Sequence, residues 1–215
     1  FCAGIGVDPA KPLVLFAPAG DQLSDTDEQI LEGFRAAVDR GELPPDLQFL
    51  VRMHPGCPAS IERFGADPLF RIERPGVQFA ERVKDTELAP ADANHLGDSL
   101  FHSAVVIHVS SSLGLDAVMF DKPQIMIEFD GRTEKPYLFS VRRYHEENHI
   151  RRSIDGAAGP PARGEAELLA AIRRYLADPS ADAAGRARGR EQQCWRLDGG
   201  AGAALADIII RRLNS

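Results

Sequence analysis

Four short and continuous apolar runs are the feature of this sequence that most constrains its fold. They are PLVLFAP at 12–18, LQFLVRMHP at 47–55, VVIHV at 105–109 and PQIMIEF at 123–129. Strands that are apolar along their whole length are typical of a parallel sheet whose two faces are both covered, because neither face meets water. The sequence therefore predicts an α/β fold with a doubly wound, Rossmann-like parallel sheet.

Segments with helical periodicity lie between and after these runs. After Ser24, the residues Ile30, Phe34 and Val38 recur four positions apart, and Gly41 ends the helix. The stretch 58–90 is irregular, apart from a short strand predicted near 71–73. Further helices are predicted at 92–104, 164–179, 182–196 and 202–213. The last three are expected to close the domain as C-terminal helices.

Charge and cysteine content exclude several classes of protein. The net charge of −7 argues against a nucleic-acid partner, since such binding needs a basic surface. No apolar run approaches the roughly 20 residues that span a bilayer. Cys2, Cys57 and Cys194 are too few and too scattered for a disulfide framework or a zinc site. They are expected to be reduced thiols in a soluble, cytoplasmic protein.

The start of the chain predicts its place in a longer polypeptide. It begins with Phe1 rather than Met, and FCAGIGVDP has the character of a connector that enters a domain. We expect residues 1–11 to be an interdomain connector. Residues 12–215 are expected to form one domain, with its closing helices at 180–215. The chain would then be the C-terminal part of the polypeptide.

Three consecutive serines follow the strand predicted at 105–109. Ligands of open parallel sheets bind at the carboxyl ends of the strands, and Ser110, Ser111 and Ser112 lie there. The unpaired N–H groups at the start of the next helix favour an anion, and serine hydroxyls can donate to a phosphate. The alternative is that the serines only cap the helix.

Asp116 lies four residues after Ser112, so both side chains project from one helix face. A carboxylate cannot help to bind a phosphate, but it can accept hydrogen bonds from a ribose diol one step further along a nucleotide. The alternative is a solvated aspartate. Asp116 and the strand that follows it favour a ligand site over a simple cap.

His54 ends the second strand, and Pro55 keeps it extended. An imidazole at the rim of the crevice can pair with a diphosphate and neutralise charge on a departing nucleotide. A strand-end histidine bonded to a nearby carbonyl is an equally good interpretation from position alone.

A basic cluster follows the fourth strand. A solvated, arginine-rich loop is the favoured interpretation of it, and contact with an anionic ligand is the alternative. The cluster consists of Arg142, Arg143, His145, His149, Arg151 and Arg152.

Two motifs imitate known sites. Asp25 and Asp27 resemble a metal-binding Asp-x-Asp pair, but Ser24 makes them part of a Ser-x-x-Asp helix cap that needs no metal. Gly4-x-Gly6 precedes a strand and lacks the third glycine of a dinucleotide fingerprint. No metal site and no bound cofactor is predicted.

Together, RMHP, DANHL and VVIHVSSSLGLDAVMFDKPQIMI resemble the C-terminal nucleotide-binding half of GT-B fold glycosyltransferases. The closest resemblance is to CDP-glycerol glycerophosphotransferase-like and related surface-polysaccharide enzymes, and it runs from about Gly4 to the C-terminus. It implies a donor-phosphate role for His54 and for the three serines. It implies a ribose-facing role for Asp116, where many GT-B enzymes carry a longer Glu.

The resemblance also implies partners for the chain. The donor would be linked to a nucleotide diphosphate, and a preceding N-terminal domain of the same polypeptide would bind the acceptor. It allows peripheral membrane association of the full-length protein. The chain shows no candidate general base for an acceptor hydroxyl, so the isolated chain is expected to bind donor without turning it over.

Two other classes of function stay open at the level of sequence. A non-hydrolysing UDP-sugar 2-epimerase shares the two-domain architecture and a similar serine-rich donor loop. A non-catalytic sugar-nucleotide-binding domain would keep the fold without the reaction.

Overall fold

The structure is a computed structural model that describes residues 1–57, 59–82, 85–148, 150–151, 161–194 and 197–214. Its centre is a five-stranded parallel sheet with the strand order β3-β2-β1-β6-β7. These strands are β1 Leu13–Ala17, β2 Gln48–Arg52, β3 Phe70–Glu73, β6 Val105–His108 and β7 Gln124–Met126. The prediction of a doubly wound parallel sheet is confirmed.

A small antiparallel pair and seven α-helices whose bounds lie within the described residues accompany the sheet. The pair is β4 Val77–Gln78 with β5 Thr86–Glu87. The α-helices are α1 Cys2–Ile5, α2 Asp27–Asp39, α3 Pro90–His102, α4 Leu113–Met119, α5 Glu165–Ala177, α6 Ala183–Gly189 and α7 Ala201–Leu213. Short 3-10 turns cover Glu62–Ala66, Tyr137–Phe139 and Val141–Glu146.

One predicted helix differs from the structure. The segment 182–196 is helical at α6 and then widens into a π-helical turn at Arg190–Cys194. The guanidinium of Arg190 leaves the helix to donate to Val118 O at 3.0 Å and to Asp121 Oδ1 at 2.9 Å. These contacts with the end of α4 accompany the change of helix type. Residues 195 and 196 lie outside the described residues.

Two apolar clusters cover the two faces of the sheet, as alternation along β1 requires. Val14 and Phe16 face α2 and α5, where the ring of Phe34 lies between Phe16, at a centroid distance of 5.7 Å, and Phe49, at 4.5 Å. Leu13 and Leu15 face α1, α3 and α4. Both faces are therefore dry, which explains why the strands are apolar throughout.

The C-terminal helices differ in how they pack. Arg186 of α6 is buried and donates to Asp121 Oδ1 at 2.9 Å and to the carbonyl of Ala181 at 2.6 Å, so α6 is fixed to the end of α4. By contrast, α7 has no buried residue. None of the helices in the described ranges is both long enough and apolar enough to cross a membrane.

The strand order determines where a ligand can enter. After β1 the chain moves outward to β2 and β3, and after β3 it returns to the other side of β1 as β6 and β7. Loops at the carboxyl ends of β1 and β6 therefore diverge, which opens a crevice at this topological switch point.

Candidate nucleotide site

A cleft of about 770 Å³ opens at the carboxyl edge of the sheet, where β1, β2 and β6 end. The loops after these three strands form its floor and one wall, and the first turns of α3 form the opposite wall. Its lining includes Ala17, Pro18 and Ala19, then Met53, His54 and Pro55, then Ser110, Ser111, Ser112 and Asp116, and finally Pro90, Asp92, Ala93 and Leu96. All five residues predicted from sequence to contact a ligand line this one cleft.

His54 lies at the exposed rim of the cleft, two residues beyond the end of β2. Its Nδ1 accepts a hydrogen bond from the backbone N–H of Gly56 at 3.1 Å. In the neutral ring the proton is therefore on Nε2, which is available as a donor. The sequence left open a bond to a nearby carbonyl, but the partner is an N–H group on the other ring nitrogen.

Ser110, Ser111 and Ser112, called here the serine loop, differ from one another in structure. Ser110 has a φ of 45°, in the left-handed region, and its Oγ is buried without a hydrogen-bond partner among the described residues. Ser111 Oγ accepts from the N–H of Leu113 at 3.2 Å. Ser112 is exposed and makes no side-chain cap bond. Within the described part of the chain, the hydroxyls of Ser110 and Ser112 thus have no partner, and Ser111 Oγ, which accepts one bond, keeps its O–H as a donor.

The start of α4 corrects one part of the sequence interpretation. Unpaired N–H groups were expected there, but the Leu113 N–H is taken by Ser111 Oγ and the Gly114 N–H by the carbonyl of Ser111 at 3.1 Å. A serine turn and one tight backbone bond therefore satisfy donors that a helix usually leaves free. An anion in the cleft would meet hydroxyls rather than these two N–H groups.

His108, which the sequence interpretation overlooked, lies directly beneath the serine loop. It is fully buried at the end of β6, and burial lowers its pKa to about 4. Nε2 lies 2.8 Å from Gln124 Oε1 on β7, and Nδ1 accepts from the N–H of Ser111 at 3.2 Å. A histidine inside the otherwise apolar run VVIHV was the signal in the sequence.

Asp116 lines the cleft from the first turn of α4 and is half-buried. Burial raises the pKa of its carboxyl group. Its carboxylate has no hydrogen-bond or ion-pair partner within the described part of the chain. A buried carboxylate without partners costs free energy, so its position is one that a ligand with donors would relieve.

Asp27 positions the loop that follows β1. It accepts hydrogen bonds from the N–H groups of Ala19 at 3.0 Å and Gly20 at 2.8 Å, yet burial still raises its pKa to about 6. The predicted Ser-x-x-Asp cap is wrong. Ser24 Oγ bonds to the hydroxyl of Thr26 at 2.7 Å, and α2 begins at Asp27 with no side-chain cap.

The two members of the Asp-x-Asp motif serve different partners. Asp25 forms an ion pair with Lys135, whereas Asp27 holds the loop after β1. Among the residues that the structure describes, no group of three or more His, Cys, Asp and Glu side chains could hold a metal ion.

The loops after β1 and β2 are locked together at Gly20. Its φ is 82°, and a Cβ at this position would lie 2.4 Å from the carbonyl oxygen of Cys57. The Cys57 thiol donates to the carbonyl of Ala19 at 3.6 Å. The cleft wall that carries His54 is therefore packed against the wall that Asp27 anchors.

Arg52 is a second residue of the cleft that sequence reasoning missed. It is the last residue of β2, and both Arg52 and His54 line the cleft. Its guanidinium donates to Glu73 Oε2 at 3.1 Å, and the other oxygen of Glu73 lies 2.8 Å from His95 Nε2. A cation is therefore held rigidly at the lining of the cleft.

The described members of the basic cluster, Arg142, Arg143, His145 and Arg151, do not line the cleft. Arg142 pairs with Glu134 at 2.7 Å, the guanidinium of Arg143 lies 4.5 Å from the ring centroid of Tyr144, and His145 Nε2 bonds to Ile127 O at 3.1 Å. His149 and Arg152 lie outside the described residues. The described members make local contacts, in agreement with the interpretation that favoured no ligand.

Neither family models nor curated protein sequences match this chain, but solved structures match its fold. The wall teichoic acid polymerase TagF matches with a TM-score of 0.60 at 15% identity, over 99% of this chain and 46% of that one. UDP-GlcNAc 2-epimerase from Neisseria meningitidis, bound to UDP-GlcNAc, matches with a TM-score of 0.57 at 9% identity, over 97% of this chain and 47% of that one. S. aureus MnaA, in a co-structure with UDP, matches with a TM-score of 0.55 at 16% identity, over 95% of this chain and 47% of that one.

These likenesses establish the fold of the chain. It has the Rossmann-like fold of one half-domain of GT-B proteins, and it spans about half the length of the structures that it matches.

Proposed function

We propose that this chain is the donor-binding domain of a transferase. The enzyme would move a sugar or a polyol phosphate from a nucleotide-activated donor to a cell-surface glycan or a related acceptor. The observation that carries the proposal is the shared cleft, in which His54 and the serine loop line the carboxyl edge of the sheet on the two sides of β1.

The diphosphate would lie between His54 and the serine loop. Ser110 and Ser112 have uncommitted hydroxyls, and His54 has a free donor at Nε2. These donors come from the loops after β2 and β6, and a diphosphate that bridges His54 and Ser112 would satisfy groups that the protein leaves unpaired. Ser110 Oγ is buried and would reach the same diphosphate after a local shift of the loop. Arg52 also lines this cleft, but its charge is paired with Glu73 in the wall, so it would support the site by fixing the wall.

The ribose would lie one step further along α4, at Asp116. This carboxylate lines the cleft and is half-buried. The two hydroxyls of a ribose diol would supply the donors that it lacks. Phosphate at Asp116 is disfavoured by charge repulsion, which orients the nucleotide in one direction along the cleft.

Transfer from such a donor would leave negative charge on the departing nucleoside diphosphate. The N–H of His54 and the hydroxyls of Ser110 and Ser112 would stabilise this charge in a cleft that is mostly apolar. A general base for the acceptor would come from a preceding N-terminal domain, to which residues 1–11 would connect. The isolated chain would then bind donor without turnover, and the full-length protein would act in the cytoplasm.

The ligands of matched structures support a nucleotide-linked ligand of this kind. A TagF variant was soaked with CDPG, S. aureus MnaA is in a co-structure with UDP, and the Neisseria meningitidis epimerase is bound to UDP-GlcNAc. The epimerases among them also keep a second function open, a UDP-sugar 2-epimerase-like reaction. The two functions differ in their need for an acceptor, because a transferase requires one and an epimerase forms its product from the UDP-sugar alone.

Titration calorimetry with CDP-glycerol, UDP-GlcNAc, CDP, UDP and GDP tests the proposal. We expect binding of at least one diphosphate, with a loss of affinity in Ser112→Ala. Ser180→Ala is the matched control, because Ser180 is exposed and its hydroxyl bonds to Asp178 outside the cleft. If UDP-GlcNAc binds, product formed from it by the full-length protein without an acceptor would favour the epimerase-like function. Failure to bind any of the five compounds would contradict both.

A further inference from the structure

We propose that His108 is a positioning residue that holds the serine loop in the conformation that receives a diphosphate. The inference rests on the proposed function above and adds to it a residue that does not itself touch the ligand. His108 would act through Ser111, so that the hydroxyl of Ser112 stays available in the cleft and Ser110 is held beside it.

Both ring nitrogens of His108 are used, and this fixes one tautomer. The N–H of Ser111 donates to Nδ1 at 3.2 Å, so Nδ1 carries no proton. Nε2 then carries the proton and donates to Gln124 Oε1 at 2.8 Å. The imidazole thus joins the main chain of the serine loop to the neighbouring strand β7.

Gly114 allows the loop to approach this ring closely. A Cβ at residue 114 would lie 2.3 Å from Gln124 Oε1 and 2.6 Å from His108 Nε2. Any larger residue would push α4 away from the pair or would displace the imidazole. The start of α4 is therefore built around the bond between His108 and Gln124.

The serine loop is strained at Ser110, and the hydroxyl of this residue is without a partner in the described part of the chain. Ser110 adopts a φ of 45°, which a residue other than glycine keeps only when its surroundings enforce it. The bond from Ser111 to His108 lies immediately after this residue. Ser110 Oγ remains buried without a partner among the described residues, although Ser110 lines the cleft.

A histidine that merely filled the core would not need these contacts. Val105, Val106 and Ile107 fill the same strand with apolar side chains. His108 replaces such a side chain at the last position of β6, where its ring nitrogen reaches the first residues of the loop.

Two substitutions separate the positioning role from a general loss of stability. In His108→Asn, the amide oxygen takes roughly the place of Nδ1 and can still accept from the Ser111 N–H, but the bond to Gln124 is lost. In His108→Gln, the amide reaches towards Gln124, but no acceptor is left beneath Ser111. Each variant loses one buried hydrogen bond, so their melting temperatures should fall by similar amounts.

Affinity for CDP and UDP should distinguish the two variants. We expect His108→Gln to weaken diphosphate binding about 10-fold, which is the effect of one lost hydrogen bond. The diphosphate affinity of His108→Asn should stay close to that of the wild type. Binding of cytidine or uridine should change little in either variant. Gly114→Ala, which leaves the imidazole in place but crowds it, should show the same selective loss for diphosphates.

Equal losses in the Asn and Gln variants would overturn the inference, and so would parallel losses of diphosphate and nucleoside. Wild-type protein that binds no nucleotide would contradict the proposed function before any variant is compared. Hydrogen exchange at the Ser111 amide then still decides the inference. Protection kept in His108→Asn and lost in His108→Gln supports it, and protection lost equally in both overturns it.

Discussion

The backbone N–H of Ser111 donates to the imidazole of His108, and this bond connects a fully buried histidine at the end of β6 with the loop that lines the cleft. The loop that lines the cleft is thus held from below by β6 and β7. On the other side of β1, Asp27 holds the adjoining loop through the N–H groups of Ala19 and Gly20. Two buried ionisable groups therefore support the two walls of one site.

His108 predicts one component of the pH dependence of folding. Its pKa is about 4 in the folded chain and 6.5 in the unfolded chain, so the unfolded state binds more protons between these values. The contribution of His108 to the free energy of unfolding is fully present above pH 6.5 and is lost as the pH falls through 4. The total loss is about 3 kcal/mol. In His108→Gln, urea titrations from pH 7 to 4 should show a correspondingly smaller loss of stability.

Asp27 predicts a component of the opposite sign. Its pKa is about 6 in the folded chain against 3.8 in the unfolded chain, so here the folded state binds more protons. Its contribution is fully present below pH 3.8 and is lost as the pH rises through 6. Between pH 4 and 6, the free energy of unfolding of Asp27→Asn should therefore rise more steeply with pH than that of the wild type. The variant should also be about 1–3 kcal/mol less stable overall, because its amide oxygen can accept from only one of the two N–H groups of Ala19 and Gly20. An unchanged pH slope would contradict the buried ionisation.

Ser111 and Ser112 should respond differently to the same change. Ser111 Oγ accepts from the N–H of Leu113, so Ser111→Ala should cost about 1 kcal/mol of folding free energy. Ser112 makes no cap bond, so Ser112→Ala should leave stability within about 0.5 kcal/mol and should weaken diphosphates more than nucleosides. Thermal unfolding and calorimetry measure the two effects. Identical behaviour of the two variants would contradict the distinction.

Gly20 should be far less tolerant of substitution than Gly41. Both residues have a positive φ, 82° and 71°, but a Cβ on Gly20 would lie 2.4 Å from the Cys57 carbonyl, whereas Gly41 has no atom within 4 Å of such a Cβ. We expect Gly41→Ala to cost about 1 kcal/mol from backbone strain alone. Gly20→Ala should cost at least about 1–3 kcal/mol more and should weaken nucleotide binding, because the walls of the cleft must separate. Equal losses in denaturant titrations would count against the close packing of the two loops.

The sequence predicts those parts of the molecule that depend on local pattern. Uninterrupted apolar runs predicted a sheet with two covered faces, and the strand ends predicted that His54 and the serine loop would lie at one edge. The rule that ligands bind at the carboxyl ends of parallel strands was sufficient to bring them together, because it depends on topology and not on side-chain detail.

Side-chain partners that are distant in sequence could not be predicted in this way. Asp27 looked like the end of a helix cap, but its true partners are backbone groups eight and seven residues earlier, reached only because the loop after β1 folds back. His108 finds Gln124 only after β6 and β7 have paired. Long-range pairing of this kind depends on tertiary geometry, which local propensity does not contain.

Asp116 makes the strongest test, because its proposed role in binding conflicts with its effect on folding. The half-buried carboxylate has a raised pKa and no partner within the described residues, so its charge is a cost to the folded state at neutral pH. Asp116→Asn should therefore keep or increase the melting temperature. If Asp116 accepts from a ribose diol, the same substitution should weaken a ribonucleotide by about 1.5–3 kcal/mol, the range for hydrogen bonds to a charged group.

The matching 2′,3′-dideoxynucleotide is the control for Asp116, because it already lacks both hydroxyl donors. Its affinity should hardly differ between wild type and Asp116→Asn. If Asp116→Asn becomes more stable and loses affinity only for the ribonucleotide, the carboxylate serves ligand binding at the expense of folding stability. Equal losses for the ribo and dideoxy forms would rule out the diol contact. The nucleotide would then have to lie in the cleft with its ribose away from α4, and the serine loop and His54 would bind its diphosphate without help from Asp116.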